Sequence, residues 1–562
     1  MAKPASAATY AAQSKANQAE ESRQRYQRPE DDPNASLYKT WEKLKTEAKK
    51  RRDPWVGVWQ EMYRFTLPLR EGHYSEAPAQ DHSDQIYDET AVTGLPKLAS
   101  RLAAGYVPEF GEIFSLEYGP DAPPHLLNGS GQAKLDQLTH MIHQSWQNSN
   151  LGIEIGEAMI DLAMGTTNIL LEPGYWPGDV CFTSVDSTGL ALLPGGKGEV
   201  KGWFWWRRIA LEDVKVCYPK AVFNEQIERA LKNDPRQQVL VECAQWRMSS
   251  TGADEKYQFA VVLPDFKKMV YERVDEGEGS CAWGSARWSK VGRDVWGRGP
   301  VNLAMPAILS ANLTVQMTFE NAEFSIGGMW TYDDDGVFDP DSVTFQPGTF
   351  IPKSREGKVE RLDSGGREFN LSELVLADQR QNIKKALFID EMDSPGDTPY
   401  SAYETAQRRA DIARDLASPG SRITHELIVP LVNRTIWIFE KQGILNAAGL
   451  RVDGKRLKIN PKSPFLRGQD AVFMQEMMTG AGQMNAIFGA GTSGMMFKLE
   501  ETGREIFMRN GIPLRLKNTT EDLKAMGQQG GATMGEATQP GAPAAGSDPM
   551  ALLAPIMKMS QQ

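Results

Sequence analysis

Cysteine is scarce in this chain and widely spaced. Only four cysteines occur in 562 residues, and no two of them form a C-x-x-C pair. Zinc clusters and small disulfide scaffolds need closely spaced cysteines, so neither kind of site is indicated. We expect the reduced thiols of a cytosolic protein at Cys181, Cys217, Cys243 and Cys281.

Long apolar runs are missing as well. Residues 1–26 contain no continuous apolar stretch, so no secretory signal is expected and the protein is predicted to be made and kept in a cytoplasm. The longest uncharged run in the middle of the chain, residues 299–319, has about the length of a membrane helix. Because amides, hydroxyls and two prolines interrupt it, we predict that it is soluble and that the protein has no membrane partner.

The chain lacks an excess of positive charge. Its 62 Lys and Arg residues face 73 Asp and Glu residues, which gives a formal charge of −11. This balance argues against a simple basic DNA clamp, since non-specific binding to phosphates needs cations. Apolar residues make up 41 % and charged residues 24 % of the chain, as in an ordinary globular protein, so a folded core is expected.

Sequence motifs for enzymes and metal sites are also absent. The segment PGGKGE, residues 194–199, lacks the glycine spacing and the hydroxyl of a phosphate-binding loop, and is predicted to be a hairpin turn. His140 and His143 share a predicted helix face but have no accompanying ligand motif. The acidic run Asp333–Asp335 lacks the alternating ligands of a calcium loop. We therefore predict no catalytic residue, no metal site and no cofactor.

Tryptophan is abundant, with a cluster at Trp203, Trp205 and Trp206. Tryptophans that line a sugar cleft, together with paired carboxylates, would fit a polysaccharide-degrading enzyme. Tryptophans at alternate strand positions are more often core or interface residues. The enzyme remains an alternative hypothesis.

Both ends of the chain have a composition typical of disorder. Residues 1–36 are rich in Ala, Gln, Ser and charge, and residues 526–562 are rich in Gly, Ala, Pro, Gln and Met. Both segments are predicted to be disordered tails, because their composition does not support a core.

The first half between the tails mixes helical and strand patterns. The basic stretch Lys49–Arg52 in the first predicted helix is expected to be a solvated face, with a break near Asp53–Pro54. Strand patterns occur in ILLEPG, VCFTSV, GWFWWRRI and residues 239–274. Apolar spacing predicts helices over residues 37–65, 87–105, 134–147 and 152–164.

The pattern changes four times in the second half. A helix is predicted over residues 300–326, and a β insert rich in Gly, Pro and Asp over residues 327–370. A second helix over residues 371–392, a short loop over residues 394–399 and a third helix over residues 400–416 are predicted to follow. Ser418-Pro419-Gly420 is expected to end the third helix. A further helix is predicted over residues 423–443, with a kink or a new start at Pro430, and weaker helical stretches over residues 473–508.

This order resembles the stem, clip, second stem and tunnel loop of portal proteins, the head-to-tail connectors of tailed phages. The segment YDETAVTGLPKLASRLAAGYVPEFGEIFSLEYG, residues 87–119, is similar to the part of short-tailed-phage connectors in which an Asp-x-Thr-Ala start leads to a Leu-Ala-Ser helix and an aromatic strand. Three further segments resemble the family in the expected order: MGTTNILLEPG from residue 164, RWSKVGRDVWGRGPVNLAMPAILSANL from residue 287, and ELIVPLVNRTIWIFEKQGIL from residue 426.

The resemblance covers roughly residues 37–525 and implies an α+β portal fold assembled as a ring. Between the two tails it implies a mixed α/β wing over residues 37–298, a stem helix over 299–326, a β clip over 327–370 and a second stem helix over 371–392. A tunnel loop over residues 393–400, further wing helices over 401–465 and a helical crown over 466–525 are implied to follow.

The resemblance also implies where DNA and partner proteins bind. The tunnel loop would project into a DNA channel with Asp393, Ser394, Pro395, Gly396, Asp397, Thr398 and Pro399. The second stem helix would add Arg380, Lys384 and Lys385 to the channel. The clip would receive the packaging terminase and tail adaptors at Asp333, Asp334, Asp335, Phe338, Phe345 and Phe350.

The function implied by the resemblance is a ring, usually of twelve copies, at one capsid vertex. Double-stranded DNA would be packaged, retained and ejected through it, and the terminase, tail adaptor or nozzle proteins, and the major capsid or scaffolding protein would bind it. The location implied is the virion head-tail junction, with assembly in the host cytoplasm. A second virion ring component, a tail adaptor, is the alternative within this class.

Overall fold

The fold is described from a computed structural model. Backbone contacts divide the chain into two compact units, residues 1–483 and 484–562, and all the described residues belong to the first unit. The structure describes residues 33–70, 83–108, 111–119, 129–196, 198–249, 255–292, 294–327, 329–333, 346, 349–353, 360–362, 369–389, 416–445, 457–462, 477, 479, 480 and 483.

Four helices open the described chain, as the apolar spacing predicts: α1 Pro33–Thr66, α2 Thr90–Tyr106, α3 Gly129–Gln147 and α4 Leu151–Met164. The buried stripe of α2 contains Ala91, Leu95, Leu98, Ala99 and Leu102, which recur at helical spacing. None of the helices among the described residues combines the length and the apolar character needed to cross a bilayer.

Helix α1 corrects three expectations. It begins at Pro33, inside the segment predicted to be a disordered tail, and it continues through Pro54 without the predicted break. Trp55 and Trp59, which lie one helical turn apart, are both buried. The free energy gained by this burial offsets the loss of the hydrogen bond that Pro54 cannot donate. The predicted solvated face is also wrong in part, because the Arg52 guanidinium donates to the carbonyl oxygens of Ser187 and Thr188.

Two antiparallel sheets come next, in agreement with the predicted mixture of α and β. Their strands are β2 Thr166–Pro173, β3 Val180–Ser184, β4 Leu190–Pro194, β5 Val200–Ala210, β6 Gln238–Ser249, β7 Lys256–Leu263, β8 Lys268–Glu276 and β9 Trp283–Arg287. The sheet of five strands has the order β4-β5-β6-β7-β8, and the sheet of three has the order β3-β2-β9.

Shorter elements complete this half of the fold. Helices α5 Leu211–Cys217 and α6 Glu225–Asn233 lie between β5 and β6 in the chain. Strands β10 Ser289–Lys290 and β11 Gly297–Arg298 pair with each other. Strand β1 Phe114–Tyr118 pairs antiparallel with β15 Leu457–Pro461, so two segments far apart in the chain share one sheet.

The helix, β insert and returning helix predicted after residue 300 are present. Helices α7 Pro300–Gly327 and α8 Phe369–Ala386 pack against each other. Between them the insert forms a three-stranded sheet in which β12 Met329–Asp333 lies between β13 Phe350–Lys353 and β14 Glu360–Leu362. Helix α8 begins inside the predicted insert and ends before the predicted residue 392, because the backbone turns at Phe388 with a φ of 55°.

The C-terminal helices differ from expectation at one position. Ser418-Pro419-Gly420 does not end a helix but lies within α9 Ala417–Arg422, because proline is tolerated in a first helical turn. A π-helical segment, Ile423–Ile428, then continues into α10 Val429–Lys441. Pro430 starts this new helix, one of the two outcomes expected for it.

Several predictions fall outside the described residues. They concern residues 1–32 and 526–562 of the tails, the loop 393–399, residues 400–415 of the third helix, and the crown 466–525 apart from four positions.

One close backbone approach holds the start of α7 against the end of α4. A Cβ atom on Gly299 would overlap the carbonyl oxygen of Ala163 and would lie 2.8 Å from the amide nitrogen of Gly165. Gly165 itself has a φ of 145°, a region that other residues avoid. Only glycine therefore fits at this crossing.

We expect Gly299→Ala to lower the free energy of unfolding by at least about 2 kcal/mol, because the two backbones must separate. Urea unfolding followed by tryptophan fluorescence measures the loss. Gly156→Ala in α4 is the matched control, since no atom lies within 4 Å of its added methyl group. Alanine should leave stability unchanged there or raise it by up to about 1 kcal/mol, and equal losses in the two variants would contradict the assignment.

Candidate functional site

The start of α2 is the point at which both α7 and α8 are fastened to the body. The Asp88 carboxylate accepts hydrogen bonds from the Thr90 amide at 3.0 Å and from Arg380 Nε on α8 at 2.6 Å. The Asn312 side chain of α7 accepts from the amides of Tyr87 and Asp88 at 2.7 and 3.2 Å. The two long helices therefore meet at Asp88, where α8 binds the carboxylate and α7 binds the backbone amide.

The environment of Asp88 favours its charged form. Burial alone raises the pKa of the carboxyl, but the hydrogen bonds from Thr90 and Arg380 outweigh burial and hold the pKa below its ordinary value. A carboxyl with a lowered pKa stabilises the fold at pH values above its unfolded pKa. This contribution is lost as the pH falls through the lower folded pKa.

The C-terminal end of α8 is fixed by a second contact with α2. The Ile389 amide donates to the Lys384 carbonyl at 2.9 Å, which closes the helix with Phe388 in the left-handed region. The Arg101 guanidinium donates to the Phe388 carbonyl at 2.6 Å, and the Phe388 ring lies 5.9 Å from that of Trp288. These contacts hold a conformation that a residue other than glycine rarely adopts.

Helix α2 also holds the chain where it returns. The Tyr106 hydroxyl donates to the Leu416 carbonyl at 2.7 Å, and the phenol lies against Gly420. Burial raises the pKa of Tyr106 well above its ordinary value, so the hydroxyl keeps its proton. Phe388 and Leu416, which lie on either side of residues 390–415 in the chain, thus both bind side chains of α2.

The sequence agrees with one known family over most of its length. The model of the family described as bacteriophage head to tail connecting protein matches residues 36–516. This chain belongs to that family. The expected resemblance to head-to-tail connectors is therefore confirmed.

Two solved structures are also similar to this connector. A chain from the virion of a native gene transfer agent particle is 12 % identical, with 72 % of this chain and 92 % of that chain covered and a TM-score of 0.32. A chain from the neck of an empty particle of this kind, computed with C6 symmetry, is 12 % identical, with 73 % and 88 % covered and a TM-score of 0.33. No curated protein matches the sequence.

The structure separates the three cations predicted for the channel of the connector. Arg380 is engaged by Asp88, whereas Lys384 and Lys385 are exposed near the end of α8. Of the residues predicted for docking, Asp333 lies opposite Lys353 in the insert, and Phe350 lies opposite Trp330. Asp334, Asp335, Phe338 and Phe345 lie outside the described residues, as do all seven predicted loop residues, Asp393–Pro399.

The residues that build this junction were only partly visible in the sequence. Asp88 is the acidic residue of the Asp-x-Thr-Ala start, so the motif marks its position but not its partners. Asn312, Arg101 and Tyr106 carry no local signal, because each acts on a residue far away in the chain. The polar interruptions of the uncharged run 299–319 were the one available hint for Asn312.

His143 is a satisfied core residue rather than a metal ligand. Its Nε2 accepts from the Ile113 amide at 3.0 Å, and its Nδ1 lies 2.8 Å from the Thr139 carbonyl oxygen. Burial lowers the pKa of the imidazole, which keeps the ring neutral. Within the described ranges no group of His, Cys, Asp or Glu side chains is arranged to hold a metal ion.

One member of the tryptophan cluster, Trp203, lines a cleft of about 920 Å³, whereas Trp205 and Trp206 do not line it. Its carboxylates pair with arginines: Glu199 and Glu255 with Arg247, and Glu426 with Arg287. A glycosidase needs two carboxyl groups that face each other across the cleft, one of them protonated. This arrangement does not favour the sugar-degrading alternative.

We expect Arg380→Gln to lower the free energy of unfolding by about 2 kcal/mol at neutral pH. The substitution leaves the Asp88 carboxylate, which is 3 % exposed, without its charged partner. Thermal or urea unfolding of the unassembled chain measures this loss. The difference from the unaltered chain should vanish only when the pH falls through the lowered pKa of Asp88.

Lys384→Gln is the matched control for this variant, because it removes an exposed cation one helical turn away. Its stability should stay within about 0.5 kcal/mol of the unaltered chain. Equal losses in both variants would mean that the ion pair with Asp88 does not stabilise the junction.

We expect Tyr106→Phe to lower the free energy of unfolding by about 1 to 2 kcal/mol, because the buried Leu416 carbonyl loses its donor. Tyr175→Phe removes a hydroxyl from a fully exposed ring and should change nothing. Urea unfolding compares the two variants. An unchanged midpoint for Tyr106→Phe would show that its hydroxyl does not fasten the returning chain.

Proposed function

We propose that this connector is a portal: a ring of identical subunits at one capsid vertex, through which double-stranded DNA is packaged, retained and ejected. The observation that carries the proposal is the pair of long helices, α7 and α8, that brackets a small sheet and is fastened to the body at Asp88. In this assignment α7 and α8 form the stem, the sheet between them the clip, and the mixed α/β body the wing.

The surface of the helix pair supports assembly from several copies. Leu313 and Met317 lie one turn apart on α7 and are 50 % and 52 % exposed. Apolar side chains on one surface favour a partner that covers them, and the next copy in a ring provides such a partner. Further exposed apolar residues of the pair are Leu303, Phe319, Ile326, Leu374 and Val375.

The charge of the chain supports a channel for DNA. Each subunit carries a formal charge of −11, so a ring of about twelve would repel phosphates as a whole. Lys384 and Lys385 would add sparse rings of positive charge near the end of the second stem helix. The adjoining tunnel loop, residues 393–399, would project into the channel.

The insert suits a docking role at the outer end of the stem. Trp330 and Tyr332 are two residues apart on the central strand β12, on one face of the sheet, and both are partly exposed. Partly exposed aromatic residues are frequent at protein interfaces. The packaging terminase and the tail adaptor would dock at this insert in turn, the major capsid or scaffolding protein would contact the body, and ATP hydrolysis would take place in the terminase.

Electron microscopy of the purified chain tests the proposal. We expect rings of about twelve subunits with a central channel. The double variant Leu313→Asp/Met317→Asp should abolish the rings, because charge on this face cannot be buried between copies. The melting temperature of the unassembled subunit should fall only slightly, since half of each side chain is already exposed in it.

Val222→Asp is the matched control, because Val222 is exposed on a loop away from the helix pair. Rings should persist in this variant. Monomers of the unaltered chain at every concentration would contradict the portal and reopen the enzyme hypothesis, and rings that survive the double variant would remove the helix pair from the interface.

A further inference from the structure

The turn between β2 and β3 presents two aromatic side chains to solvent. Tyr175 is 100 % exposed and Trp176 is 74 % exposed. Among the aromatic residues whose exposure the structure describes, these two are the most exposed. Side chains of this size bury about 150 to 250 Å² each when a partner covers them.

This aromatic turn, residues 174–178, is held in place by its neighbours. The Gly174 amide donates to the Asp179 carbonyl at 2.9 Å, and the Asp179 amide donates to the Trp176 carbonyl at 3.0 Å. Gln442, after α10, accepts from the Gly178 amide at 2.8 Å, and Ser145 of α3 donates to the Gly178 carbonyl at 2.7 Å. A partner would therefore meet a preformed surface and would spend little free energy on ordering it.

The cleft of about 920 Å³ has a lining that suits aromatic side chains such as those of the turn. Its most buried lining residues are aromatic: Trp203 and Trp283 stack with ring centroids 6.2 Å apart, and Tyr257 lies beside them. Exposed Lys290 and His425 lie on its rim. A pocket of this size holds a ligand as large as several rings.

The aromatic turn cannot fill the cleft of its own subunit. Along β2, Thr166 lies opposite Arg287 of the cleft, and the strand ends seven residues later at Pro173, just before the turn and roughly 23 Å away. Along α10, Pro430 lines the cleft and Gln442 contacts the turn, a separation of roughly 18 Å. Both elements place the turn and the cleft at opposite ends of one body.

We propose that the aromatic turn of each subunit inserts Tyr175 and Trp176 into the cleft of the next copy of this chain. Such a contact joins two different surfaces head to tail, which is the kind of contact that closes a ring. The acidic residues beside the turn, Glu172 and Asp179, complement Lys290 on the cleft rim, because the carboxylates of the cleft pair with Arg247 and Arg287. The inference rests on the proposed ring and names one contact within it.

A paired-cysteine experiment tests the contact. In a background with Cys181→Ser, Cys217→Ser and Cys281→Ser, first checked for rings by electron microscopy, we combine Trp176→Cys with His425→Cys. Mild oxidation with diamide should give a ladder of covalent dimers and larger species on a non-reducing gel. Neither single variant should give a ladder, because each lacks the second thiol at the contact.

Lys232→Cys combined with His425→Cys is the matched control, since Lys232 is exposed on α6 outside the turn and the cleft. Rings without a ladder above this control overturn the contact and leave the portal intact. A failure of the unaltered chain to form rings contradicts the portal itself, so the two failures are distinguishable.

Trp176→Ala gives a second measurement that does not depend on new cysteines. We expect the concentration for half-assembly to rise at least about tenfold, as for a central aromatic residue of an interface. The melting temperature of the unassembled subunit should stay constant, because the side chain makes few contacts there. Unchanged assembly would overturn the proposed contact.

Discussion

The arrangement of the long helices depends on the ion pair between the buried Asp88 carboxylate and Arg380. A buried charge is costly unless it is paired and hydrogen-bonded. Its partner Arg380 lies 292 residues further along the chain, and Asn312 reaches the same turn from the other helix. If α8 separated from α2, the Asp88 carboxylate would lose its charged partner, and if α7 separated, the Asp88 amide would lose its acceptor.

The same helix fixes the two ends of the segment that connects α8 with α9. Arg101 holds the carbonyl at which the chain turns away, and Tyr106 holds the carbonyl at which it returns, five residues further along α2. The spacing between these two points is set by a helix whose apolar stripe is buried in the main core. In the proposed portal, this arrangement gives the tunnel loop of every subunit a base of constant geometry.

Local patterns in the sequence predicted the elements well, and long-range contacts decided the exceptions. The stripe of α2 and the helix, insert and helix after residue 300 follow from spacing alone. The continuity of α1 through Pro54 depends on a core that a local pattern does not reveal. The end of α8 at Phe388 depends on Arg101 and Trp288, which hold a phenylalanine in a conformation usually left to glycine. The ion pair of Arg380 with Asp88 has no local signature in the sequence, because its two members lie far apart in the chain.

In the proposed portal, the distribution of cations decides which positive charges of this acidic chain would face DNA. Three arginines have well-defined partners in the body: Arg52 binds two carbonyls, Arg287 binds Glu426, and Arg380 binds the buried Asp88. Lysine ammonium groups are compact and strongly hydrated, and Lys384 and Lys385 remain at the surface of α8. In the proposed channel such groups would meet phosphates as screened point charges without bidentate hydrogen bonds. Weak contacts of this kind let DNA slide, whereas exposed arginines at the same positions would hold it.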